Sequence, residues 1–193
     1  MNRLASASPL IDPIACSVLL LVPNQDDLSS LNPEARQLLQ SNLATLAAAA
    51  YILQVPVFTH SRADRVKKSA AAQPPLPHSH RMLSHEHGVP WSNKAFVDAL
   101  TRENRSTLVL AGVWLEHQIL ATALHALADA YHVYFLVDTT FARTQSAQCA
   151  ARERLVQAGA TPIVVSQVIH EWCLEAPDPT ARAALVKLLA PLA

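Results

Sequence analysis

Apolar residues in this chain follow two rhythms. Short, mainly apolar runs occur at Ala15–Val22, Pro56–His60, Thr107–Ala111, Val133–Val137 and Pro162–Val165. Runs of this kind are typical of strands covered on both faces, as in a parallel sheet. Between them lie stretches in which apolar and polar positions recur at helical spacing. Asn32 can cap a helix with Pro33 at its first position, running to about Leu53; Ser92 can cap another from Asn93 to Arg102. Further helices are expected over Glu116–Ala130 and Ser146–Ala158, from Gln167, and from Thr180. Strands alternating with helices predict an α/β fold: a three-layer α/β/α sandwich on a mainly parallel sheet, Rossmann-like, with right-handed connections.

All 193 residues are expected to form one domain, with no repeat and no linker-bounded second unit. Residues 1–14, with Pro9 and Pro13, read as a loose arm. Residues 61–91 form the longest irregular segment. It opens basic, passes through Pro74, Pro75 and Pro77, and ends rich in histidine; Met82–Ser84 can add a short edge strand. Long loops of this kind in compact domains are often functional.

Composition narrows the function. Fifteen Lys and Arg balance fifteen Asp and Glu, so no basic excess points to nucleic acid, and the scarcity of aromatic residues argues against a stacking platform for bases. No apolar run approaches the length of a membrane span, and the short one after Pro13 lacks the form of an export signal. Cys16, Cys149 and Cys173 are odd in number and lack metal-type spacing, which suits free thiols in a reducing compartment. The expectation is a cytoplasmic protein, without nucleic-acid or membrane partners.

In open α/β sheets, sites lie beyond the carboxyl ends of the strands. Three segments project there: Pro23–Asp27, His60–Trp91 and Gly112–Gln118. The third reads Gly112-Val113-Trp114-Leu115-Glu116-His117-Gln118-Ile119 between a strand and a helix. With the strand ending near Asp138, it resembles the central unit of the isochorismatase-like cysteine hydrolases. Their turn runs Gly-Val-x-Thr-x-x-Cys-Val, and its Cys is the nucleophile. The first segment, Val22-Pro23-Asn24-Gln25-Asp26-Asp27, resembles the family's apolar-Asp-x-Gln-x-Asp at Gln25 and Asp27. Val89-Pro90-Trp91-Ser92-Asn93 and the helix after it resemble the YcaC-like branch, and the likeness extends over roughly residues 15–175.

The resemblance implies a hydrolase fold, and a cis peptide at Val113–Trp114. It also implies two losses. The nucleophile position holds Gln118, whose amide cannot act as a thiolate, and the general-base position holds Pro23, which has no side-chain acceptor. The family's cation is normally a Lys ahead of the helix near Lys94. Here Arg81 is the one Lys or Arg between Lys68 and Lys94, and an arginine stays protonated. The expected function is an inactive or altered member of the family, a homo-oligomer that binds a small carboxylate, an amide or a protein partner. Its ligand-pocket candidates are Asn24, Gln25, His60, Arg81, Trp91, Trp114, Glu116, His117 and Gln118. Backbone N–H groups of the turn can form an anion nest at the helix start, unless Trp114 fills the space.

Two other readings stand beside this one. A working hydrolase of C–N or ether bonds can use non-standard groups: a divalent metal held by His78, His80, His85 and His87, or Glu116 with His117 as an acid/base pair. The plainer readings are a solvated polar loop for the histidines, and a helix-start carboxylate beside a partly exposed imidazole for the pair. No cofactor is otherwise expected. The third reading is a structural subunit of an assembly.

Overall fold

The computed structural model describes residues 9–21, 25–62, 80–85 and 89–190, and for residues 25, 61–62 and 80–85 it describes the backbone. Six strands form one sheet: β1 (Cys16–Leu21), β2 (Val57–Arg62), β3 (His80–His85), β4 (Thr107–Gly112), β5 (His132–Leu136) and β6 (Thr161–Ile163), in the order β3-β2-β1-β4-β5-β6. Every pairing is parallel. Among the described residues the sheet is thus wholly parallel where a mainly parallel one was expected. β1 and β4 are buried at every position.

Side-chain alternation along β1 divides the core in two. Cys16, Val18 and Leu20 pack with α2 (Pro33–Ile52), α6 (Val165–Glu175) and α7 (Pro179–Leu189). Leu19 and Leu21 point the other way, towards α3 (Lys94–Arg102), α4 (Leu120–Ala128) and α5 (Gln145–Ala158). This is the expected three-layer sandwich.

Local chemistry sets the helix ends. The Asn32 side chain accepts from Ala35 N at 2.7 Å, with Pro33 at the first helical position. Asn93, not Ser92, caps α3, because Ser92 belongs to a 3₁₀ turn over Pro90–Ser92. Thr144 and Asp178 cap α5 and α7, and Gly159, at φ +102°, ends α5 in the left-handed conformation.

Three segments differ from expectation. The N-terminal arm is fastened from residue 9 onward: Ile11 is buried, its N–H donates to Glu171 Oε2 at 2.8 Å, and Arg105 donates to the carbonyls of Pro13 and Cys16. A single buried isoleucine and a remote arginine leave no periodic signal, so the sequence reads as loose. Asp26 and Asp27 lie in a short helix, α1 (Gln25–Ser30), where a loop was expected. The helix expected from Glu116 opens instead as a π turn over Leu115–Ile119 before α4 begins. No helix among the described residues is long and apolar enough to cross a membrane.

Candidate functional site

With the strand order 3-2-1-4-5-6, the direction in which successive strands are added to the parallel sheet reverses between β1 and β4, and a crevice is expected outside their carboxyl ends. Leu21 and Gly112 are paired there, and His60 on β2 lies level with Leu21 on its other side. Gly112 has φ +127°, and a Cβ added to it would stand 2.1 Å from the Leu21 carbonyl oxygen. Only glycine allows this turn so close to β1. The next peptide bond, Val113–Trp114, is cis, as the resemblance implied.

Trp114 then turns back into the core and is 7% exposed, while its indole Nε1 donates to Asp27 Oδ1 at 2.9 Å. The side chain therefore spans from the end of β4 to α1, the helix that follows β1. The Arg143 guanidinium lies over the Trp114 ring, 5.4 Å from its centroid. The loop carrying Arg143 runs beside the π turn: Leu115 N donates to the Phe141 carbonyl at 2.8 Å, and Arg143 N donates to Glu116 Oε1 at 3.1 Å. Glu116 Oε2 is buried without a hydrogen-bond partner.

These contacts revise two expectations. The anion nest has lost donors: Leu115 N–H is taken by Phe141, and the N–H groups of His117 and Ile119 both turn back to the Trp114 carbonyl. Glu116 and His117 are not hydrogen-bonded to each other. Their Oε1 and Nε2 atoms are 3.9 Å apart, beyond hydrogen-bond range, and the His117 side chain is 56% exposed. Gln118 is half-buried at this turn.

Trp91 is not brought to the site. Its Nε1 donates to Asp129 Oδ2 at 2.7 Å, and its ring packs against Phe96, His125 and Tyr131. Asp129 follows α4 and lies about 16 Å along the helix from Gln118. His60 does sit at the carboxyl edge and is 1% exposed. Arg81 lies inside β3, level with Phe58 and two residues short of the row containing His60. Pro23, Asn24, His78 and His87 lie outside the described residues, as does the side chain of Gln25. His80 and His85 mark the two ends of β3, so their Cα atoms are about 16 Å apart, too far to share one ion. Among the described residues no group of three His, Cys, Asp or Glu side chains could hold a metal.

No described thiol lies at this turn. Cys16 is at the amino end of β1, and burial pushes its pKa well up; Cys173 is buried on α6, its pKa likewise raised by burial, and Cys149 is exposed on α5. Asp138 has a structural task. It accepts from Asn42 Nδ2 at 3.0 Å and from Val165 N at 3.1 Å, joining α2 to the start of α6. Burial raises its pKa, opposed by the Val165 N–H.

Sequence reasoning did not find Arg143 or Phe141. They come from the loop after β5 and meet the turn by tertiary packing, so no local spacing announces them. Asp27 carried a signal, as a matched position of the first-strand signature, but nothing indicated Trp114 as its partner.

Comparison with known proteins agrees with this architecture. No curated protein matches the chain. Among solved structures, YcaC from Pseudomonas aeruginosa, described with hexane-2,5-diol and covalent acrylamide, is similar with TM-score 0.78 and 20% identity over 97% of this chain and 95% of that one. The YcaC gene product of Escherichia coli, described as an octameric hydrolase of unknown specificity, has TM-score 0.77 and 22% identity over 97% and 94%. The MAR1 ribonuclease of Caenorhabditis elegans has TM-score 0.79 and 17% identity over 93% and 92%. At such identities the likeness is one of fold. The profile of the isochorismatase domain matches residues 17–167, from β1 to the start of α6, and the chain belongs to the isochorismatase family.

Proposed function

We propose that this chain binds a small ligand at the carboxyl edge of its sheet and does not cleave it by the family's covalent chemistry, and that it works as a homo-oligomer. The observation that carries the reading is the turn after β4. Where the family places its thiol the chain has Gln118, and the neighbouring Leu115 and His117 N–H groups are already bonded within the protein. An amide nitrogen shares its lone pair with its carbonyl, so no acyl-enzyme can form there. Pro23 at the general-base position removes the second member of the unit. Losing members of a catalytic unit leaves roughly 10³–10⁴-fold acceleration over water, far below ordinary turnover.

The homo-oligomer is supported by the octameric Escherichia coli relative and by Ile14, Leu174 and Val186, large apolar side chains exposed on this chain. The test is a turnover assay with nicotinamide and with isochorismate, with and without a chelator, alongside light scattering for mass. Turnover indistinguishable from blank, by a particle larger than 20.9 kDa, is expected. Chelator-sensitive turnover would establish the metal-hydrolase alternative instead. Chelator-insensitive turnover abolished by Gln118→Ala would overturn the reading outright.

A further inference from the structure

We propose that Arg143 is the recognition group for a carboxylate-bearing ligand at this edge, held in place by Trp114. The inference rests on the ligand-binding reading above and names the ligand's chemistry. Three observations support it. The guanidinium lies over the Trp114 ring, and Trp114 is itself fixed by burial and by its bond to Asp27. The Arg143 main chain is tied down by its N–H bond to Glu116. Among the described residues the guanidinium has no carboxylate partner. Its N–H groups lie in the plane of the group and form a fork matched to two oxygens of one anion. Contact with a fixed indole face removes part of the cost of ordering the side chain, and Arg143 is exposed to a ligand from solvent.

The carboxylates nearby do not take this role away. Glu116 Oε1 accepts from the Arg143 main chain and Asp27 Oδ1 from the indole, Glu116 Oε2 is buried without a hydrogen-bond partner, and neither carboxylate forms an ion pair with the guanidinium among the described residues. Their charges also choose between anions. A monoanionic carboxylate meets less repulsion from Glu116 and Asp27 than a phosphate dianion does. Arg143 therefore takes over anion recognition from the turn, whose Leu115 N–H is closed by Phe141.

The experiment titrates the full chain with sodium benzoate, inorganic phosphate and benzamide at constant ionic strength, followed by calorimetry and tryptophan fluorescence. Arg143→Ala, Arg143→Lys and, as a control on α5, Arg152→Ala are compared with the parent. Arg143 and Arg152 are exposed, and melting curves check that the variants fold. Saturable benzoate binding is expected, weakened at least about tenfold in Arg143→Ala, less in Arg143→Lys, and unchanged in Arg152→Ala. Benzoate binding unaffected by Arg143→Ala overturns the assignment and leaves the ligand-binding reading standing. Benzamide binding without benzoate binding does the same, and phosphate binding more tightly than benzoate overturns the carboxylate class. Binding of none of the three overturns both.

Discussion

Replacing Gly112 by alanine tests the geometry on which the site depends. Two penalties act together. At φ +127° a residue with a Cβ is strained, which costs about 1–2 kcal/mol. The added Cβ would also stand 2.1 Å from the Leu21 oxygen, 2.8 Å from its carbonyl carbon and 2.9 Å from its Cβ, so backbone must move. Overpacking of this kind costs a further ~1–3 kcal/mol. The sum, about 2–5 kcal/mol, is a large share of a domain's stability and corresponds to a fall in Tm of about 4–20 °C. Gly159→Ala is the internal control. Gly159 also has positive φ, +102°, but its nearest neighbour is Leu127 Cδ2 at 4.0 Å, so only the backbone penalty of about 1–2 kcal/mol applies. Urea unfolding of both variants, with midpoint and slope fitted together, separates the two. If Gly112→Ala loses no more stability than Gly159→Ala at equal slope, the close approach of β4 to β1 is wrong. The reading of the crevice then fails with it.

Three further outcomes follow from the contacts. Asp27→Ala removes the acceptor of the Trp114 indole and should cost about 1–3 kcal/mol with a change in tryptophan emission; an unaltered urea midpoint would show that the clasp contributes nothing. Burial raises the Asp138 pKa, so ionisation is harder in the folded chain than in the unfolded one. The stability of the parent relative to Asp138→Asn should therefore be highest at acid pH and decline as pH rises through the folded pKa. A difference that is flat, or grows with pH, refutes the burial argument. In native protein, Ellman's reagent should label exposed Cys149 rapidly, and Cys16 and Cys173 only on unfolding; rapid labelling of Cys16 would contradict its place in β1.

What the sequence determined is whatever neighbouring residues settle among themselves. The runs at Cys16–Leu21 and Thr107–Gly112 carry the pattern typical of strands covered on both faces, and Asn32-Pro33 and Gly159 mark helix ends by local capping. The identities Pro23 and Gln118, read through the family pattern, are the sequence basis of the proposal that the family's covalent chemistry is absent. What only the tertiary structure decided depends on groups far apart in the chain. Trp114 and Asp27 are 87 residues apart and meet because adjacent strands end side by side; Ile11 and Glu171 are separated by 160 and meet across the α6 face. Trp91 is anchored by Asp129, 38 residues on, rather than facing the crevice its flanking sequence suggested. Periodicity and capping record the choices of one segment at a time. The partners of an indole, a guanidinium or an N–H at the edge of the sheet are chosen by packing between segments, which leaves no spacing to read.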